Sequence, residues 1–312
     1  MKKLFNVSDF YENEDILKKI KNYRDKYNFQ GVELIKFTEK NNEPIRNHVI
    51  GYHMRFFPMW VDLYLNKNEI IERELLSSDP QEYFYLCGGH KREEMINFYR
   101  EELERAKNLE AEYVVIHMCN VRPSETFTYD FHYDDQEILK YLVEIINEIF
   151  EEENYKFQLL LENLWWPGLK LHSKKEIEYI LKNIKYKNIG FMLDTGHMLN
   201  SNLELKNSRE AVEYLDITID NLGEYKKYIR GVHLNYSLSG EYVKSIIEKR
   251  QEEENVYMHI SKIDSHEVFE DRRIIEILKK LDLKYLVYEF IGYTEEDLEE
   301  KIAKQDSTLF FQ

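Results

Sequence analysis

Apolar and polar positions along this chain follow two alternating rhythms. Short apolar runs of strand type recur at residues 3–7, 31–36, 49–54, 112–118, 157–163, 189–194, 230–235 and 284–290. Between them, apolar residues recur three and four positions apart. The stretch from Asp15 to Tyr27 carries Ile16, Leu17, Ile20 and Tyr23 on one helical face. Residues 91–109 and 135–152 keep the same rhythm. Ser173 and Glu176 have capping-box spacing ahead of another apolar run. Further helices are expected at 209–229, 271–281 and 294–304. Strands alternating with helices predict an α/β fold with a parallel sheet covered by helices. Eight strand–helix units in 312 residues favour a closed (β/α)8 barrel, which takes about 250 residues plus insertions. An open doubly wound sheet is the alternative. No Gly-rich phosphate loop follows an early strand, which counts against its nucleotide-binding form.

Two connections are too long for plain crossovers: 55–111, which holds Phe56, Phe57, Trp60, Tyr64 and an expected extra helix, and 236–270. Both follow strands at the face where such barrels keep their chemistry, and long loops there build pockets or lids. With 5 Pro, 11 Gly and no low-complexity linker, residues 1–312 read as one domain with insertions in its catalytic-face loops.

Charge narrows the partners. Lys and Arg number 43 against 59 Asp and Glu, a net −16, which disfavours indiscriminate attraction to nucleic acid or anionic membrane. Bound divalent ions can reverse that sign locally. The runs Glu151-Glu152-Glu153 and Glu252-Glu253-Glu254, and the stretch Glu248-Lys249-Arg250, read as solvated helix ends. Cys87 and Cys119 read as free thiols in a reducing compartment. The N-terminus turns polar too soon for a signal peptide, and no run approaches the roughly 18 apolar residues of a membrane helix. A cytoplasmic protein is expected.

The candidate chemistry sits at strand ends. Glu162, Asp194, His233 and Glu289 close the fifth to eighth strand runs. A polar group at the tip of a buried strand is costly unless something pairs with it. On consecutive strands of a closed barrel these four converge. A metal-free hydrogen-bond network would bury three carboxylates with one imidazole, a charge excess that needs a cation. Hard carboxylate oxygens with imidazole suit a divalent ion such as Zn, Mn, Co or Fe. His53 and His117 lie near the ends of the third and fourth strands. His197 follows Asp194 by three residues. With Asp264 and His266 of the triplet Asp264-Ser265-His266 it supplies three ligands, enough for another ion.

These motifs, Leu161-Glu162-Asn163, Asp194-Thr195-Gly196-His197, His233-Leu234-Asn235 and the strand ending in Glu289, resemble those of the xylose-isomerase-like TIM barrels. That superfamily includes endonuclease IV and many sugar isomerases and epimerases. The resemblance covers the whole length and implies a (β/α)8 TIM barrel. Resemblance to endonuclease IV implies three metal sets: His53 and His117 with a bridging Glu162; Glu162, Asp194, His233 and Glu289; and His197, Asp264 and His266. The gap from His233 to Asp264 is longer than in that family, and His259 inside it reads as a structural or rim histidine. Leu164-Trp165-Trp166-Pro167 replaces the nuclease's Gly-rich turn, and Met118-Cys119-Asn120-Val121-Arg122 lacks its Pro-Gly turn. With the acidic balance, these departures count against cleavage of abasic-site DNA.

Two reactions follow. In a phosphoester hydrolase, up to three ions would activate a water and stabilise the leaving oxygen, and Arg55, Arg122, Arg272 or Arg273 would steer a phosphate unless they serve only as solvated surface groups. In a sugar or sugar-phosphate isomerase, one ion would suffice. Glu162 and Glu289 would pass a proton between adjacent carbons, His197 would hydrogen-bond the sugar, and Trp165, Trp166, Phe56 and Trp60 would wall it. Glu162, Glu289 and His197 are thus the candidate catalytic groups. His53, His117 and the Asp264–His266 pair favour the hydrolase, because one ion does not need them. Glu33 resembles a frequent second-strand Glu of the superfamily, lining the mouth or making a structural hydrogen bond.

Overall fold

The computed structural model describes residues 1–77, 79–151, 155–249 and 255–310. Of the charged runs named above, 152–153, Arg250 and 252–254 lie outside the described residues. Eight strands form: β1 (Lys2–Ser8), β2 (Gly31–Ile35), β3 (Val49–His53), β4 (Tyr113–His117), β5 (Gln158–Glu162), β6 (Ile189–Asp194), β7 (Ile229–Leu234) and β8 (Tyr285–Tyr288). They pair in parallel in chain order, and β8 returns to β1 to close a (β/α)8 TIM barrel. Each expected run lies within two residues of a strand, because a strand buried on both faces writes itself as a near-continuous apolar stretch.

Side chains alternate across each strand. Along β4, Tyr113 and Val115 point inward and join Leu4, Ile50, Leu160, Met192, Tyr285 and Val287 in a small cluster inside the barrel. His117 is the next inward position. The rings of Tyr113 and Tyr285 lie 4.2 Å apart across that interior. Gly51 makes room for the first of them: a Cβ there would come within 2.3 Å of the Tyr113 ring. The larger core lies between barrel and helices.

The outer helices follow their apolar faces. The helix Asp135–Ile149 buries Ile138, Leu142, Ile145 and Ile149 among others. It opens on a full capping box, Asp134 accepting from the Glu137 amide and Glu137 from the Asp134 amide, a motif worth about 1 kcal/mol. The Ser173 box is looser. Ser173 accepts from the Glu176 amide, but Glu176 reaches past it to the His172 amide. The expected helix 209–229 is two elements, Ser208–Asn221 and a 3-10 turn Gly223–Tyr228, broken where Gly223 takes φ +58°. The last helix runs longer than its pattern, Glu295–Phe310, and the one before β8 shorter, Ile274–Lys279.

Both long connections are helical insertions. The first carries Trp60–Tyr64, Asn68–Glu74 and Pro80–Cys87 ahead of the outer helix Arg92–Asn108. The second carries Gly240–Lys249 and Val256–Ile263. Its two ends are pinned together: the Tyr236 and Glu267 amides donate to each other's carbonyls at 2.7 and 2.9 Å. The second insertion therefore leaves the rim after β7 and returns to nearly the same place. No helix among the described residues is long and apolar enough to cross a membrane.

Candidate metal centre

Parallel pairing puts the C-terminal ends of all eight strands on one face. Register aligns them: His117 stands beside Glu162, and Asp194 beside His233. His53 ends β3, and Glu289 follows β8 by one residue. The pinned base of the second insertion brings Asp264 and His266 to the same rim. Ser237 fastens them there, its hydroxyl accepting from the Ser265 and His266 amides. His266 takes φ +47°, a left-handed conformation a non-glycine residue seldom adopts.

All nine residues singled out in the sequence come together, in three sets. The ligand atoms of His53, His117 and Glu162 lie within 4.8 Å of one another; so do those of Glu162, Asp194, His233 and Glu289, and those of His197, Asp264 and His266. A fourth cluster joins Glu33 to His53 and His233, so Glu162, His53 and His233 each belong to two. Glu162 Oε2 is 2.7 Å from His117 Nε2 and 3.3 Å from His53 Nε2, while its Oε1 is 2.9 Å from His233 Nδ1. Asp264 Oδ2 sits 2.7 Å from His266 Nε2 and 3.2 Å from His197 Nε2.

The imidazoles are aimed by their other nitrogen. His53, His197 and His266 donate Nδ1–H to the carbonyls of Met54, Asn163 and Glu289 at 2.8, 3.0 and 2.8 Å. Each bond leaves Nε2 facing the carboxylates, the orientation a metal-ligating histidine needs. His233 is turned the other way. Its Nε2 meets Glu33 Oε2 at 3.1 Å, which leaves Nδ1 to Glu162 and Glu289. Glu33 is buried below the rim, not lining the mouth, and also accepts from the Tyr113 hydroxyl at 2.7 Å.

Asparagines brace the strand tips. Asn163 binds the Asp194 backbone through both ends of its amide. Asn235 donates to Asp194 Oδ2 at 2.7 Å, while Asp194 Oδ1 caps the short helix Thr195–Asn200 by accepting from the His197 amide. At Gly196 a Cβ would stand 1.8 Å from Asn235 Oδ1, so only glycine lets this turn approach.

Burial opposes every charge here, and neighbours decide which survive. At Glu162 burial is outweighed by His117 and His233, so the carboxyl stays well below its usual range. The same holds for Glu289 beside His233 and His266, and for Asp264 beside His266 and His197. Asp194 goes the other way. Burial and the charges of Glu289, Glu162 and Asp264 push it up to about 8 against His197. Burial lowers each imidazole, but Asp194 and Asp264 hold His197 well above its usual value, and Glu162 with Glu33 does so for His233. Asp264 raises His266 to about 10. His53 is raised by Glu162, whereas burial prevails at His117.

Five carboxyl groups thus face five imidazoles, and protons on Asp194 and on the raised imidazoles hold the cluster together. Divalent cations would replace those protons. Glu33 Oε1 and Glu289 Oε2 approach His233 at 3.0 and 3.2 Å but accept no hydrogen bond, which leaves each carboxylate an under-used oxygen. The residues present therefore fit a divalent-metal centre.

A cleft of about 570 Å³ opens onto His117, His197 and Asp264. Phe56, Trp165 and Trp166 line it, as expected of three of the four wall aromatics. Trp60 does not. It is fully buried, and its indole N–H donates to the Cys119 carbonyl. Cys119 packs with the tryptophans and belongs to none of the metal-type clusters. His259 is buried between the Tyr242 hydroxyl and the Thr126 carbonyl, a structural role. The arginines are engaged elsewhere: Arg55 lies over Phe84 and Phe98, Arg122 forks onto Asp62, Arg272 reaches the Thr308 carbonyl and Arg273 clamps Asp271. Sequence reasoning missed Ser237, whose type and position carry no signal before the second insertion is known to double back.

Known proteins agree with the fold. The xylose isomerase-like TIM barrel family model matches residues 75–271. A probable endonuclease 4 of Mycoplasmoides gallisepticum is 28% identical over 152 residues, 47% of this chain and 45% of that protein. The chain spans about half the length of the curated relatives it matches. Endonuclease IV from Thermus thermophilus superposes with a TM-score of 0.54 at 13% identity, over 99% of both chains. A D-psicose 3-epimerase, solved in the presence of D-fructose, gives 0.53 at 16% identity over 99% of this chain and 96% of its own. At such identities these two likenesses show the fold alone.

Proposed function

The chain belongs to the xylose isomerase-like TIM barrel family, and from that premise we propose that it is a phosphoester hydrolase working with up to three divalent ions, residues 1–312 acting as one barrel domain. One observation carries the reading: the nine side chains account for three of four metal-type clusters, two of them sharing Glu162, and the fourth joins His53 and His233 to Glu33. A one-ion enzyme has no use for His53, His117, Asp264 and His266 so arranged. When bound, the ions supply Lewis acidity, charge neutralisation and a more acidic water.

The protein's own groups do the rest. Glu162 divides its two oxygens between two sets and is held ionised by His117 and His233. Glu33 fixes the tautomer of His233. The Met54, Asn163 and Glu289 carbonyls fix those of His53, His197 and His266. His117, His197 and Asp264 face the cleft, where the phosphorus would lie. In the reaction a water oxygen bonds to phosphorus and the ester P–O bond breaks. The departing oxygen gains a proton and the water loses one. The donor set suits Zn, Mn, Co or Fe.

A second reading has one specific observation in its favour. Glu162 Oε1 and Glu289 Oε2 converge on His233 Nδ1, as a pair flanking a single ion in a sugar isomerase or epimerase would. The full chain, loaded with zinc or manganese, separates the two. Hydrolysis of bis(4-nitrophenyl) phosphate that is lost on chelation and in Glu162→Gln supports the hydrolase. Interconversion of D-fructose and its epimers without phosphoester cleavage would overturn it.

A further inference from the structure

The cleft is oddly furnished for a nucleic-acid enzyme. Its floor is polar and metal-competent, at His117, His197 and Asp264, but its sides are apolar. Phe56 and Trp166 stack at 6.5 Å with planes 21° apart, and Trp165 packs against Trp166 at 4.5 Å. The two insertions add Leu76 and Tyr85 from the first and Tyr257 and Ile260 from the second to the cleft lining, Ile260 packing against the tryptophan cluster. Large apolar side chains are left exposed at this mouth. Phe10 is 67% exposed, Leu76 50%, Tyr85 49% and Tyr257 62%. Exposed aromatics gathered at one cleft mark a ligand surface, whereas scattered ones mark nothing.

No Lys or Arg is among the described residues that line the cleft. A duplex is held mainly by basic side chains and amides on its phosphates. The cleft volume is that of a small-molecule site.

Resting on the hydrolase reading above, we propose that the substrate is a small phosphoester bearing a flat, largely apolar ring. The ring lies between the Phe56–Trp165–Trp166 wall and the insertion residues Tyr85 and Tyr257, with its phosphoryl group at His117, His197 and Asp264. Duplex DNA is disfavoured by the apolar sides of the cleft, which carry no Lys or Arg among the described residues.

Calorimetric titration of the zinc-loaded full chain tests this with adenosine 5′-monophosphate and ribose 5-phosphate, which share sugar and phosphate and differ in the ring. The ring-bearing probe should bind at least about fivefold tighter, the low end of one aromatic stack. Tyr257→Ala and Tyr85→Ala, both at exposed positions, should weaken it several-fold and leave ribose 5-phosphate unchanged. Trp166→Phe should retain most of the preference. Equal affinity for the two probes, or tighter binding of a short abasic-site duplex, overturns the proposal. Hydrolysis of bis(4-nitrophenyl) phosphate by the same preparation keeps the two ideas apart. Cleavage without ring preference sinks ring recognition alone, and ring preference without cleavage sinks the hydrolase alone.

Discussion

Glu33 and Glu162 meet the same imidazole from opposite sides, and their tasks differ. Glu162 presents oxygens to two ligand sets. Glu33 takes the far nitrogen of His233 and so decides which nitrogen faces the site. Outer carboxylates of this kind are typically worth about 10–100-fold in metal affinity. Glu33→Gln should therefore weaken one ion by that factor and spare the one at His197, Asp264 and His266; competition with a chromophoric chelator would resolve the two, and uniform weakening would refute the role. The nine candidate positions, which the structure brings together, could be picked out because each ends an apolar run or sits in a short motif. Glu33 was legible only as a type. Its role depends on Tyr113 and His233, 80 and 200 residues away. Away from the site, burial pushes Glu176 from 4.5 up to about 7. The folded state binds the extra proton between those values, so stability falls as pH rises through that window. Glu176→Gln keeps an acceptor for the His172 amide and removes the penalty. Thermal melts should show the variant stabilised at pH 8 and unchanged near pH 4; a constant offset would exclude the titration.

Among the elements, strands read best and insertions worst. The eight strands are apolar runs buried on both faces, a pattern local sequence states directly. The insertion helices Asn68–Glu74 and Val256–Ile263 are short, and short helices owe their existence to packing that periodicity does not reveal. Trp60 is the clearest instance. The sequence offers it as a wall residue, yet its indole is drawn inward by the Cys119 carbonyl. The Thr195–Asn200 turn is set by Asp194, Gly196 and Asn235 acting together. Gly196→Ala forces a methyl into Asn235 Oδ1, and overpacking of this kind costs about 1–3 kcal/mol. Denaturant unfolding should register that loss. Because Asn235 would release Asp194, metal affinity should fall too. A variant as stable and as tightly metallated as the parent would show that the turn can yield.

Across the whole molecule, one closed sheet gathers side chains from residues 53 to 289 onto one rim, and the net −16 charge makes cations its natural counterpart. Fold and ligand types were both legible because a parallel barrel delivers every strand end to one face. The substrate cleft was not, since its walls come from two insertions that meet only in three dimensions. The central claim is that these groups hold more than one ion, up to three. Elemental analysis of the chain purified without chelator tests it most directly. About three divalent ions per chain, falling to about two in His266→Ala, is the predicted result. About one ion per chain, unchanged by His266→Ala or by His53→Ala, would contradict it.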